Sequence, residues 1–375
     1  MKLCVFSKSW REGAGWYAQG LAQGLAEAGA DLVFIAPPAS PEEREPNARS
    51  ILRLRTARER VDGAGRLTRA LASLQRIGLG LWALARARRR CRQFIFTTPE
   101  PLPITLLAML ALRFCGADIT FVVHDPHPHS WALPKPLRFV ERALHGFSYR
   151  LANRLVSLTQ AGRAELIAAF AIAPKRVHVI PHGAFSLPVL TPSPTGQSVL
   201  LAFGAIRRNK RLLETIEAVS AFGGDVRLII AGAPDPRESA YWRACEALIA
   251  RNPGHFQCEI GFVSEPRLAE LTAKADAFVL PYEDFASQSG VAVLAALNGR
   301  PVLASAAAAG ALFELGMAGV DIAGPISAAT ITEALHQWRA ISPTEWARRC
   351  DIARARLEAR LAWPRIGQDF LAILQ

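Results

Sequence analysis

Ala275–Ser305 read ADAFVLPYEDFASQSGVAVLAALNGRPVLAS, and the segment contains a complete strand, loop, helix and strand. Ala277–Pro281 is a short apolar run rich in residues that favour a buried strand. The turn Tyr282–Ala286 leads to Ser287, Gln288, Ser289 and Gly290, small polar residues that open a helix over Val291–Leu297. Val302–Ala304 then resumes as a strand. A helix-length crossover between two apolar strands is the signature of a parallel sheet.

The same alternation extends outward in both directions. Downstream of residue 198, strands are expected at Val199–Phe203, Arg227–Ala231 and Phe256–Ile260, with helices between them. In the first half they are expected at Leu3–Ser7, Leu32–Ala36, Phe94–Thr97, Ile119–Val123, Leu155–Leu158 and Val177–Ile180. A helix from about Gly15 to Ala28 separates the first two and ends on Gly29, a favourable C-cap. The segment 184–198, AFSLPVLTPSPTGQS, is rich in Pro, Ser and Thr and reads as a linker. Apolar residues near helical spacing, among them Ile366, Phe370 and Leu371, predict a last helix that returns to the first domain. The expected organisation is therefore α/β, with a Rossmann-like domain over residues 1–183, a linker over 184–198, a second such domain over 199–360 and a returning helix over 361–375.

The 375 residues suit two α/β domains rather than one core. Hydrophobic residues make up 51% and charged ones 20%, which argues against long solvated segments. The formal net charge of +12 favours anionic partners in general without choosing among them. The six cysteines are scattered, with no CxxC, which points to reduced thiols in an intracellular protein rather than to a disulfide framework or zinc site. MKLCVFSKSW at the start lacks the apolar run of a signal peptide, and the apolar stretch Leu102–Leu112 is shorter than the roughly 20 residues of a membrane span. A cytoplasmic location is expected, with contact to the inner face of a membrane left open.

In open parallel sheets ligands bind beyond the carboxyl ends of strands, where helix N-termini point. Four segments occupy such places. Gly13 and Gly15, in the loop Ser7–Gly15, permit close backbone approach to a ligand, although the spacing is not GxGxxG and a simple tight turn explains it equally. His124, Asp125, His127 and His129 follow the strand Ile119–Val123; they suit a polar ligand, a structural turn or a metal, but match no zinc spacing. Arg207 and Lys210, in Gly204–Lys210, set a planar fork and a point charge between a strand end and a helix start, a place suited to a diphosphate. Arg208 and Arg211 read as a solvated basic turn. Ser287, Gln288, Ser289 and Gly290 offer N–H donors at a helix start, and a plain cap accounts for Ser289 alone.

With these loops in view, the chain resembles the GT-B glycosyltransferases, in particular the large retaining family called GT4. The resemblance runs nearly end to end and is carried by PHGAF at Pro181–Phe185, FGAIRRNK at Phe203–Lys210 and the segment Ala275–Ser305. It is similar to a subgroup with a G-x-I-R-P-x-K-G turn, a QSG helix start and an HxxxPH element, here Gly204–Lys210, Gln288–Gly290, and His124 with Pro128-His129. The resemblance implies two doubly wound domains facing each other across a cleft. It implies a nucleotide-sugar donor, UDP- or GDP-linked, with no cofactor and no bound metal, and a glycan or lipid-linked acceptor. Arg207 and Lys210 would bind the diphosphate; Gln288, Ser289 and Gly290 would hold phosphate and sugar oxygens. One or both of His124 and His129 would face the transferred sugar, and Gly13 and Gly15 match a glycine-bearing loop near the phosphates. Two departures stand out. Aligning Gly290 with the family's glycine puts Ser287 and Ala295 where many members carry two glutamates, and Arg208 replaces the usual proline.

Residues 49–92 hold thirteen arginines against Glu59 and Asp62. Within 66–92, Leu67, Leu71, Leu74, Leu81 and Trp82 fall near one helical face. Such a helix either lies on an anionic membrane surface or packs that face on the sheet with its arginines in solvent. Two other functions remain alternatives: an NDP-sugar epimerase, and a non-catalytic sugar-nucleotide-binding protein. Nucleic acid is not expected as a partner, because no aromatic residues interleave with the basic run as stacking platforms.

Overall fold

The computed structural model describes residues 2–8, 12–37, 51–55, 65–97, 102–127, 133–183, 198–224, 226–285 and 288–375. His129, Ser287 and all of the 184–198 segment except Ser198 lie outside the described residues. Two compact units emerge, Met1–Gly183 with Leu361–Gln375, and Ala184–Arg360.

In the first unit the elements run β1 (Lys2–Phe6), α1 (Glu12–Glu27), β2 (Asp31–Ala36), β3 (Ile51–Arg55), α2 (Arg66–Arg88), β4 (Gln93–Phe96), α3 (Leu102–Phe114), β5 (Asp118–Val123), α4 (Arg138–Leu151), β6 (Arg154–Ser157), α5 (Gln160–Phe170) and β7 (Val177–Val179). Its seven strands are parallel in the order β3-β2-β1-β4-β5-β6-β7. Central β1 pairs Cys4 with Val33 on one side and with Phe94 on the other.

The two-residue period of the strands divides the core. Cys4, Val33, Phe94, Phe121 and Val123 join one apolar cluster with Leu84 of α2 and Met109 of α3. Leu3, Val5, Phe34, Ile95 and Val122 join the other with Tyr17, Leu21 and Leu25 of α1. With helices on both faces, these strands are near-continuous apolar runs rather than alternating ones.

The second unit continues with β8 (Ser198–Phe203), α6 (Leu212–Phe222), β9 (Val226–Gly232), α7 (Ser239–Ile249), β10 (Phe256–Ile260), α8 (Glu265–Lys274), β11 (Ala277–Leu280), α9 (Gly290–Leu297), β12 (Val302–Ala304), α10 (Ala306–Glu314), β13 (Gly319–Asp321), α11 (Ala328–Arg339) and α12 (Pro343–Leu361). Its six parallel strands take the order β10-β9-β8-β11-β12-β13, the same winding as the first six of the other sheet.

The last helix, α13 (Trp363–Leu374), belongs to the first unit. Ile366, Phe370 and Leu374 recur at four-residue spacing and are buried against α1. Each such side chain contributes about 1.5–3 kcal/mol through burial. The helices approach closely because Gly24 lacks a side chain: a Cβ there would fall 2.1 Å from the Trp363 carbonyl oxygen.

Three sequence expectations differ from the structure. Helix α1 begins at Glu12, so Gly13 and Gly15 sit in its first turn and not in a loop. β3, ILRLR, alternates arginine with apolar residues and reads as part of the basic stretch; its pairing with β2 makes it a strand. β13 has three residues, too few to show a period, and forms by pairing with β12.

Candidate functional site

Both sheets reverse strand order beside their first strand, and this switch point opens a crevice past the carboxyl ends. In the second unit it lies between β8 and β11. There the Gly204 amide donates to the Ala231 carbonyl at 2.9 Å and the Ile206 amide to that of Ala233 at 2.9 Å, so the turn after β8 is held along β9. Gly204 has φ +106°, and a Cβ on it would fall 2.8 Å from Lys210 Nζ and 3.9 Å from Val291 Cγ2. Glycine is thus required for backbone reasons, and it lets Lys210 and the first turn of α9 converge on one spot. The ammonium of Lys210 stands 5.0 Å from the Tyr282 ring centroid, a cation–π contact.

Arg207 caps the short helical turn 208–210 and donates from Nε to Asp235 Oδ2 at 3.2 Å. Asp235 is buried and also accepts from Arg237 Nε at 3.0 Å and Nη2 at 2.9 Å. The Arg237 hydrogen bond is the main reason its carboxyl is held down at about 2, with the Arg207 charge adding to this. A permanently ionised carboxylate therefore orients Arg207 from behind, and the guanidinium remains partly exposed. Arg208 stacks at 5.2 Å over Tyr241 and Arg211 pairs with Glu214 at 2.7 Å and with Glu283. Those two are structural cations with protein partners. Glu283 further accepts from the Ile326 amide at 3.2 Å, while its own amide donates to the Asn209 carbonyl at 2.8 Å. The turns after β8 and β11 are thereby tied together.

Helix α9 starts at Gly290, with Ser289 as its N-cap accepting from the Ala292 amide at 3.3 Å. Gln288 and Ser289 are both buried. Ala292 to Ala296 are enclosed, Ala295 completely, so this helix offers no carboxylate at the aligned glutamate position. The structure thus brings Arg207, Lys210, Gln288, Ser289 and Gly290 to one end of one sheet.

In the first unit the strand ends carry different chemistry. Tyr17 of α1 is the hub of an aromatic cluster, with ring centroids 4.8 Å from His124, 5.0 Å from His182 and 5.5 Å from Trp363. His124 Nε2 lies 3.1 Å from the Thr97 carbonyl oxygen, a contact that sets the ring nitrogen as a donor. Burial lowers its pKa, against the opposing pull of Asp125 and the Thr97 bond. His182 Nδ1 donates to the Gly183 carbonyl at 2.8 Å; burial drives its pKa down to about 3, the Gly183 bond opposing and His124 adding. Both imidazoles are neutral near pH 7. His127 turns elsewhere, to Glu165 at 3.4 Å and the Phe170 ring, so His124 and His127 serve different neighbours. No group of three or more potential metal ligands gathers among the described residues. Gly15, two residues before Tyr17, is buried in α1.

Asp235 and Tyr282 were missed in the sequence, although applying the strand-end rule to β9 reaches Asp235. His182 and Tyr17 were missed too; His182 sits in the PHGAF segment, while Tyr17 is an ordinary aromatic of an apolar helix and gives no signal.

Residues 11–184 match the family model described as Glycosyltransferase Family 4, and residues 197–338 the one described as Glycosyl transferases group 1. No curated protein sequence matches the chain. Among solved structures, Anabaena HepE in complex with UDP and glucose superposes with TM-score 0.73 at 18% identity, covering 100% of this chain and 99% of that one. Sucrose-phosphate synthase from Thermosynechococcus elongatus gives 0.75 at 18%, covering 100% and 98%. WaaG, a glycosyltransferase involved in lipopolysaccharide biosynthesis, gives 0.66 at 17%, covering 100% of both.

Proposed function

We propose, for a chain that belongs to the GT-B glycosyltransferases in both of its units, transfer of a hexosyl group from a nucleoside-diphosphate sugar to a glycan or lipid-linked acceptor. The observation that carries this reading is the convergence of Lys210, Gly204 and the start of α9 at the switch point of the second sheet. Cleaving the sugar–phosphate bond places negative charge on the departing diphosphate. Lys210 and Arg207 are the cations for that charge, and the helix start adds N–H donors and the positive end of its dipole. Fixed cations meet the requirement for charge neutralisation, so a metal-independent reaction is proposed. A UDP- or GDP-sugar is the donor we favour, UDP because HepE was crystallised with UDP and glucose. Retention of anomeric configuration is proposed from the family resemblance.

His124 is proposed as the first unit's contact to the transferred sugar. Its neutral ring offers a hydrogen bond without repelling or neutralising the donor's charge. Gly13 and Gly15, in the first turn of α1, are proposed to keep backbone N–H groups near the donor phosphates.

An anionic membrane surface is proposed as the place of the acceptor. Leu67, Leu71, Leu74 and Trp82 of α2 point outward, Leu67 being 74% exposed, and Ala83, Leu84 and Ala87 are the residues that pack on the sheet. The apolar stripe read from the sequence is therefore not the packed face. The helix carries arginines and no Asp or Glu, as an interfacial helix on acidic lipid requires. Among the described residues no helix is long and apolar enough to cross a membrane.

The deciding experiment is a thermal-shift series with UDP-, GDP-, ADP- and dTDP-sugars, followed by a transfer assay with the nucleotide that stabilises. A ligand that binds only the folded state raises Tm by mass action. A shift with one nucleotide, lost in Lys210→Ala, is expected. Binding without hydrolysis or transfer would favour the non-catalytic reading, which the enclosed Ala295 motivates; conversion of the donor without acceptor to an isomeric sugar would favour an epimerase.

A further inference from the structure

In the first unit, His124 stands at the front of a group of rings drawn from distant parts of the chain. Tyr17 of α1 meets it edge-on, the ring planes 80° apart and the centroids 4.8 Å. Tyr17 also meets His182 at 5.0 Å and 72°, and Trp363 at 5.5 Å and 76°. Trp363, at the start of α13, lies 6.1 Å from His182 as well. His124 is half-buried, whereas Tyr17 is fully enclosed and His182 nearly so.

Two glycines make room for the indole. A Cβ on Gly20 would fall 2.1 Å from Trp363 Cε2, and one on Gly183 2.6 Å from Cδ2. Gly20 lies about one turn along α1 from Tyr17, and Gly183 follows His182, so Trp363 is wedged behind both rings. Neither glycine has φ in the left-handed region; what each provides is close approach. Glycine inside a helix is unfavourable relative to alanine, so the fold gives up helix stability to seat this side chain.

The imidazole at the front is held by two different contacts. The Thr97 carbonyl can only accept, so His124 Nε2 carries the proton and Nδ1 is the acceptor left in the neutral ring. One hydrogen bond leaves the ring free to tilt about it, and the edge of Tyr17 removes that freedom. We propose that Tyr17, wedged by Trp363, is a positioning residue that holds His124 with Nδ1 turned to accept from a hydroxyl of the transferred sugar. The inference rests on the glycosyltransferase reading and adds the direction of this contact: the sugar donates and the protein accepts.

The test uses the full chain and the variants Tyr17→Phe, Tyr17→Leu and Trp363→Leu, each checked for folding by its Tm. Nitrogen-15 NMR of histidine-labelled protein reads the tautomer, with His124→Gln identifying the signals. At pH 7 the wild type and Tyr17→Phe should show His124 protonated at Nε2 alone, and the two Leu variants a mixture of tautomers. Trp363→Leu carries the test if Tyr17→Leu does not fold. Turnover is measured with the nucleotide sugar that stabilises the protein, UDP-glucose being the first tried. A displaced contact of this kind should lower kcat by about tenfold to a hundredfold in the Leu variants. Their KM for the donor should stay within about twofold, because the diphosphate is held by other residues. Tyr17→Phe keeps the ring and should restore kcat.

A wild-type tautomer in folded Leu variants would overturn the proposal, as would unchanged kcat in them or an equal loss in Tyr17→Phe. So would an Nδ1-protonated or doubly protonated His124 in the wild type. If the tautomer shifts as expected but no nucleotide sugar stabilises the wild type, the donor reading fails and the positioning of the ring stands. If the donor binds and turns over while the tautomer is indifferent to Tyr17, the positioning role is wrong and the donor site stands.

Discussion

The two switch points form an instructive pair. Both sheets wind in the same order around their first strand and both open a pocket at the reversal, one beside β1 and β4, the other beside β8 and β11. Their chemistry diverges. The second presents Lys210 next to a glycine with positive φ, backed by an ionised Asp235 that orients Arg207. The first presents an apolar slot and, nearby, two imidazoles kept neutral by burial. Winding fixes where a ligand can lie; the few side chains at the strand ends decide which ligand it is.

The comparison breaks most readily at Lys210. Lys210→Ala should cut donor-dependent turnover by about 10²–10³, the usual cost of removing one preorganised stabiliser of developing charge. A loss of only a few-fold in steady-state assays would mean that the second switch point does not hold the leaving group. Asp235→Asn should cost less, about tenfold in the same assay, because it disturbs Arg207 only through its position.

The neutral histidines sharpen the contrast through pH. His182 has a folded pKa of about 3 against an ordinary 6.5, so the unfolded chain takes up the proton first. Its burial therefore stabilises fully above about pH 6.5, and that contribution drains away as pH falls toward 3. The slope is at most one proton, about 1.4 kcal/mol per pH unit. Urea unfolding of the wild type and of His182→Gln at several pH values should show a shallower acid loss in the variant; identical slopes would assign the acid loss to other groups.

The smallest effect on stability belongs to α2. Changing Leu67, Leu71 and Leu74 to Ser together should leave stability within about 0.5 kcal/mol per site, since these side chains are already in water. Binding to anionic liposomes should nonetheless fall, and sedimentation with vesicles checks this. Unchanged vesicle binding would leave α2 without a membrane role.

Much of this was legible in the residue order. Strand apolarity is a local property, so eleven strands could be placed within a residue or two by their runs alone, and the turn Gly204–Lys210 and the QSG helix start announced themselves by following such runs. The two missed strands, β3 and β13, are edge strands, each held by a single neighbour. What the sequence could not contain is what depends on partners distant along the chain. Asp235 reaches Arg207 only because β9 lies beside β8. The outward turn of the α2 stripe depends on Ala83, Leu84 and Ala87 occupying the space over the sheet. His182 is buried and neutral because Tyr17 and Trp363, from opposite ends of the chain, close around it. Hydrophobic periodicity is written in neighbouring residues and determines the elements; electrostatic environment is set by whatever the fold packs nearby, and only the tertiary structure decides that.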